Sequence, residues 1–244
     1  MQKISIEYCC LIIILFDCKS IVVIYRDHLD VRVGFKNNKL FPVQMKILAF
    51  ADLHSDLKAL KTLKKTAKTK KPDIIICAGD ISIFGDNFSY FVNELDELNI
   101  PFLLIPGNHE DDALIRSSEK LFVNVKDIHK KHFVKDDFLF LGWGGGGFSL
   151  IDKDFENAAK KFKKIISKTR IKKIVLVTHA PPYKTKVDNI HGSHAGNKSI
   201  RNFILDVKPL LAVCGHLHEN EGKEDKIGKT RVINPGFEGK VMVL

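Results

Sequence analysis

The chain has 244 residues, 45% hydrophobic and 28% charged, with five cysteines and a formal net charge of +10. Those proportions suit one large globular domain with a substantial core, and the cysteines form neither a disulfide framework nor a Cys-x-x-Cys zinc site. The positive surplus favours anionic substrates, but its Lys pairs, from Lys64-Lys65 to Lys172-Lys173, read as solvated helix faces without the interleaved aromatics on which single strands stack.

Residues 1–44 differ in pattern from the rest of the chain. Tyr8 to Phe16 is an apolar run of nine, too short for the roughly 20 residues that span a bilayer. Glu7 precedes it and no small-x-small cleavage site comes after it, which argues against a signal peptide. A second run, Ile21 to Tyr25, could pair with the first as a hairpin over a sheet edge. No clear period is present after Tyr25, and the expectation is that translation starts at Met45, leaving 1–44 as a dispensable extension and 45–244 as the domain. Cys9, Cys10 and Cys18 lie in that extension, while Cys77 and Cys214 sit inside apolar strands as small hydrophobes. A reducing, cytoplasmic setting and no membrane partner fit this usage.

From Met45 the pattern is α/β. Strand 46–51 leads to a helix from about Asp56 to Lys68, then strand 74–78, a helix from about Phe88 to Leu98, and strand 102–105. A helical or irregular stretch covers 111–119. Leu121 to Val125, His132 to Val134 and Phe138 to Trp143 read as short strands of a second, more antiparallel sheet. Gly144 to Gly147 is either a flexible linker or a backbone that closely approaches a ligand. An amphipathic helix over 155–167, strand 174–178, helix 199–207 and strand 210–214 come next. Strands at 229–233 and 240–244 close the chain.

Five of the strands end in a polar ligand. Ile47 to Ala51 runs into Asp52-Leu-His54, whose alternate spacing lets both side chains face one point. The others lead into Gly79-Asp80, Gly107-Asn108-His109-Glu110, Thr178-His179 and Gly215-His216-Leu-His218. Carboxylate, amide and imidazole donors suit Zn, Fe or Mn, and two-metal hydrolysis needs a bridging carboxylate, for which Asp80 is in the right place. Any one of these histidines could be structural. Five of the ten at apolar strand ends, with Asp52, Asp80 and Asn108, make a dinuclear centre the better reading.

These blocks in this order resemble the signature of the calcineurin-like metallophosphoesterase superfamily, from Met45 to the C-terminus. The resemblance implies a four-layer α/β/β/α sandwich of two mixed β-sheets flanked by helices. It also implies that Asp52, His54, Asp80 and His218 hold one divalent ion and that Asp80, Asn108, His179 and His216 hold the other. Mn is the first choice, with Ni, Zn or Fe as alternatives. His109 would face the phosphate and protonate the leaving oxygen while a metal-bridging hydroxide attacks in line. Many members place a second Asp three residues after the bridging one, to orient that histidine. This chain has Ile83 there, and Asp86 or Glu110 could substitute.

His179-Ala-Pro-Pro182 forces a loop that continues through His194 and Asn197, both candidates for substrate contact. The expected activity is hydrolysis of a small phosphodiester, with phosphomonoesters as a second substrate class. The alternatives are a nuclease, for which the roughly 200-residue body leaves little groove, and a non-catalytic scaffold of the same fold. Oligomeric state is not specified by the sequence.

Overall fold

In the computed structural model, described for residues 11–16, 20–25, 34–36, 39–41 and 44–244, strands and helices alternate from Lys46 onward. Upstream, β1 (Leu11–Phe16) pairs antiparallel with β2 (Ser20–Tyr25), and β3 (Gly34–Lys36) with β4 (Lys39–Phe41). Neither pair joins the two large sheets among the described residues. The expectation of a start at Met45 otherwise concerns residues outside the described ones.

The first large sheet contains β5 (Lys46–Phe50), β6 (Ile74–Cys77), β7 (Phe102–Leu104), β8 (Val125–Asp127) and β17 (Lys240–Val243). Its order is β17-β5-β6-β7-β8, parallel except for β17. The second contains β9 (His132–Lys135), β10 (Phe138–Trp143), β11 (Lys173–Thr178), β14 (Leu211–Val213), β15 (Glu224–Ile227) and β16 (Thr230–Ile233). Its four central strands run parallel, between antiparallel edges β9 and β15. A small hairpin, β12 (Asn189–Ile190) with β13 (Ser193–His194), lies apart.

Side-chain alternation along the strands builds the layers. Ile47, Ala49 and Ala51 face between the sheets, against Phe140, Val177 and Val213. Leu48 and Phe50 face the other way, onto α1 (Leu57–Lys70), α2 (Phe88–Asp96) and α3 (Asp112–Leu121). On the far side, Leu139 and Leu176 meet α4 (Lys153–Lys168) and α5 (Lys198–Val207). Each fully buried Phe or Leu contributes about 1.5–3 kcal/mol. The result is the four-layer α/β/β/α sandwich. Asp56, Asp111, Asp152 and Asn197 accept first-turn backbone N–H groups and so fix where α1, α3, α4 and α5 begin.

Two expectations are corrected. Residues 121–125 are not a strand of the second sheet, because Leu121 ends α3 and the strand at Val125–Asp127 adds in parallel to the first sheet, beside β7. The second sheet is also mainly parallel, not antiparallel. Strand β15 is absent from the sequence pattern: in Glu-Asp-Lys-Ile only Ile227 is buried, so an edge strand leaves no apolar signal.

The two sheets are tied at that edge by Glu224. Its carboxylate accepts two bonds from Arg231 (2.7 and 2.9 Å) and one from Lys240 of β17 (2.6 Å). The Arg231 hydrogen bond, against partial burial and with help from Lys240, holds the carboxyl down at about 2, against an ordinary 4.5. Its contribution is therefore complete above pH 4.5 and lost as pH falls through 2. Glu224→Gln should destabilise the fold by about 1 kcal/mol at neutral pH, given the pair's partial exposure. The difference from wild type should vanish in acid, as read from denaturant midpoints across pH.

Candidate metal centre

The parallel strands of both sheets end at one edge, and the loops that leave them converge there. Asp52 N–H donates to the Gly79 carbonyl and His54 N–H to that of Asp80, stitching the loops after β5 and β6. Gly215 N–H donates to the His179 carbonyl and so joins the loops after β11 and β14. The two pairs meet across the sheets, where His216 N–H donates to the Asp52 carboxylate at 2.9 Å and His179 Nδ1 bonds the Ala78 carbonyl at 2.9 Å.

Glycines permit this approach. A Cβ at Gly107 would lie 1.9 Å from Asp80 Oδ1, and one at Gly79 would lie 2.7 Å from both the Gly107 backbone and His179 Nδ1. Gly107→Ala should displace the Asp80 carboxylate and cost stability and metal affinity together. A melting temperature and metal content like those of wild type would contradict that expectation.

Asp52, His54, Asp80 and His216 all have left-handed backbones, at φ 56°, 46°, 54° and 72°. Such residues outside glycine are uncommon and cost about 1–3 kcal/mol each. Four at one edge mark a place where geometry outranks stability.

The side chains converge. Asp80 Oδ2 lies 3.3 Å from His179 Nε2 and 4.0 Å from His54 Nε2. His54 Nε2 and His218 Nε2 are 3.1 Å apart, and Asn108 Oδ1 lies 3.1 Å from His179 Nε2 and 2.9 Å from His216 Nδ1. Three groups of potential ligand atoms lie within 4.8 Å of one another: Asp52, His54 and His218; His54, Asp80 and His109; and Asp52, Asp80 and His179. Asp80 belongs to two of them, on both sides of the cluster. All seven ligand candidates are thus brought together. His216 Nε2 and His109 Nδ1 are buried without a hydrogen-bond partner. Crowded imidazole nitrogens and carboxylate oxygens fit a divalent cation of the Mn–Zn series.

The protonation pattern agrees. Burial alone would lower His179, but the hydrogen bond and charge of Asp80 raise it to about 9, so this part of the cluster favours positive charge. Its Nδ1 is committed to the Ala78 carbonyl, which aims Nε2 at the site. Burial, then the charge on His179, lowers His216 to about 4 and keeps it neutral, as a metal ligand must be. Burial raises the Asp52 carboxyl, whereas at Asp80 the same penalty is outweighed by His179.

A calcineurin-like phosphoesterase family model matches residues 45–220. The chain belongs to that family. It is therefore a metal-dependent phosphoric ester hydrolase by family. An uncharacterized protein of Methanocaldococcus jannaschii is 33% identical over 201 residues, covering 78% of this chain and 88% of its own. A probable glycerophosphodiester phosphodiesterase of Arcobacter nitrofigilis is 28% identical over 162 residues, covering 61% of this chain and 57% of its own length. The crystal structure of TT1561 of Thermus thermophilus shares the fold, with a TM-score of 0.64 and 19% identity over 80% of this chain and 90% of that one.

Among the described residues of this calcineurin-like phosphoesterase, no carboxylate hydrogen-bonds the His109 ring. Glu110 is buried and spends its oxygens on Asp80 N–H, Gly107 N–H and both Ser82 donors. It fastens the loops instead. Asp86 accepts from Asn87, and Ile83 is exposed. What touches the His109 ring is His54, edge-on at 4.9 Å, and Phe84, at 4.4 Å between centroids.

The two substrate-contact candidates are placed differently from the ligands. Asn197 is buried; its Oδ1 caps α5 and its Nδ2 donates to the Ser149 carbonyl, so its amide is occupied. His194 bonds the buried Asp188 through Nδ1 at 2.8 Å and lines a cavity of about 470 Å³ with Lys184, Lys186 and Lys223. The glycine loop is no linker at its start. Gly144 N–H donates to His129 Nδ1 and Gly145 N–H to the Pro106 carbonyl, and a Cβ at Gly144 would lie 2.3 Å from that carbonyl. Sequence reasoning missed the two rings at the site, Phe84 and Phe148, the latter 4.9 Å from His216. Each comes after a recognisable block, but an isolated Phe in a loop carries no pattern.

Proposed function

We propose that the chain hydrolyses phosphodiesters with two divalent ions, Asp80 bridging them. Asp52, His54 and His218 would complete one set and Asn108, His179 and His216 the other. The observation that carries this reading is the position of Asp80 Oδ2 between His179 Nε2 and His54 Nε2, with further nitrogen and oxygen donors behind each. Bound divalent ions supply an ionised water near neutral pH and offset charge on the phosphoryl oxygens. The chain's two site carboxylates cancel only part of that positive charge, which leaves an anion trap.

His109 is the general acid of this reading. Its backbone N–H is held by Asp80 Oδ1 at 2.9 Å, which ties the ring's position to the bridging carboxylate. From there the imidazole donates a hydrogen bond, then a proton, to the departing ester oxygen. The diester preference draws on the name of the Arcobacter relative. The test is hydrolysis of bis-p-nitrophenyl phosphate against p-nitrophenyl phosphate, with added Mn, Ni or Zn. Diester turnover should exceed monoester turnover, with Mn giving the highest rate. A faster monoester reaction would reverse the preference, and no metal-stimulated turnover of either would remove the hydrolase reading.

A further inference from the structure

Two phenylalanine rings stand at the metal centre with most of their surface in solvent. Phe84 is 80% exposed and leans on His109; Phe148 is 67% exposed and leans on His216. They arrive independently, Phe84 on the loop after β6 of the first sheet and Phe148 on the glycine loop after β10 of the second. Each lies tilted against one imidazole, at 46° and 58° between the ring planes, and leaves most of its own ring in solvent.

Their backbones argue that the placement is built. Phe84 has φ +50° and Gly85 φ +82°, and Asp86 N–H closes the turn onto the Ile83 carbonyl at 3.0 Å. Two consecutive left-handed residues inside such a turn call for Asn-Gly or Gly-Gly. Here the first is a bulky aromatic. Ser55 Oγ donates to the Asp86 carbonyl and pins the same turn to the loop that carries Asp52 and His54. On the other side, Gly144 and Gly145 are fastened to His129 and Pro106, while Cβ atoms at Gly145 and Gly147 would meet nothing within 4 Å. The loop is anchored at its root and open where it presents Phe148. Leu150 and Ile151 beside it, and Ile83 beside Phe84, are exposed as well.

We infer that this site takes phosphoesters carrying a flat aromatic group, a nucleobase or an aryl ring, which stacks on Phe84 or Phe148 while the phosphate sits among the histidines. The inference rests on the phosphodiesterase reading and adds its substrate class. Stacking on an aromatic side chain is insensitive to the identity of the base, since every base has a π-face. The chain therefore favours planar ester groups over small polyols without requiring a particular base.

The test is calorimetric binding to the Mn-loaded full chain, which needs no turnover. AMP and ribose 5-phosphate share sugar and phosphate and differ only in the base; phenyl phosphate and ethyl phosphate make the same comparison for an aryl arm. AMP should bind about 5- to 150-fold more tightly than ribose 5-phosphate, the ratio equivalent to about 1–3 kcal/mol of stacking. Phe84→Ala or Phe148→Ala should pull that ratio toward one, and the Tyr substitution at the same position should restore it. A preference for phenyl phosphate without one for AMP assigns the rings to aryl esters and still supports the inference. Equal binding of both members of each pair by wild type overturns it. So does a fall of all four affinities in parallel in the Ala variants, which would make the rings mere packing for the imidazoles. If inorganic phosphate binds and bis-p-nitrophenyl phosphate is cleaved while the ratios are one, only the inference fails. If phosphate does not bind and no ester is cleaved, the hydrolase reading fails and takes the inference with it.

Discussion

Asp80→Ala is expected to leave a folded chain that retains neither metal and hydrolyses nothing measurable. One Asp80 oxygen lies within 4.0 Å of imidazoles on both sides of the cluster, and the other holds the His109 backbone N–H. No other carboxylate among the described residues belongs to groups that include both His54 and His109. The substitution also deprives His179 of the carboxylate that favours its charged form. Losing several kcal/mol of charge stabilisation, at about 1.36 kcal/mol per tenfold in rate, puts the loss at about 10³ or more. Elemental analysis and turnover on bis-p-nitrophenyl phosphate check both halves. Two equivalents of metal still bound at wild-type affinity would take the bridging role away from Asp80.

His109→Ala should give the complementary result, with both metals retained and turnover lowered by about 10²–10⁴, the usual range for an acid–base group. The loss should shrink when the leaving group is already a good one, such as p-nitrophenolate, and grow for an alkoxide. His109 also lies within cation reach of His54 and Asp80, so metal content separates two roles. A variant with one metal missing would make His109 a ligand. A variant with both metals and wild-type turnover of an alkyl diester would remove it from the mechanism.

Much of this site was legible because a cluster of metal-ligating residue types leaves a dense sequence signal. Apolar strands ending in Asp, Asn or His five times over locate the edge of the sandwich, and every residue so chosen reaches the cluster. The strands themselves were readable where both faces are buried, as in Ile74–Cys77 or Lys173–Thr178. Edge strand β15 and the sheet membership of β8 were not, since pairing is decided by partners distant in the chain. The loop residues misled for a different reason. Asn197 in a Gly-Asn-Lys context looks the same whether its amide meets a substrate or caps a helix, and Glu110 looks the same whether it orients His109 or fastens Ser82 and Gly107. Only the third dimension separates those cases.

The left-handed backbones at Asp52, His54, Asp80 and His216 decide how this enzyme could be lost. Alanine at any of them would remove a candidate ligand yet keep a strained φ, whereas glycine would remove it in a conformation that glycine adopts readily. A gene drifting away from catalysis would therefore pass most easily through Gly at these four positions, losing metal donors while easing backbone strain. The descendant would be a less strained protein with the same sandwich and an intact loop surface, free to be selected for something other than chemistry.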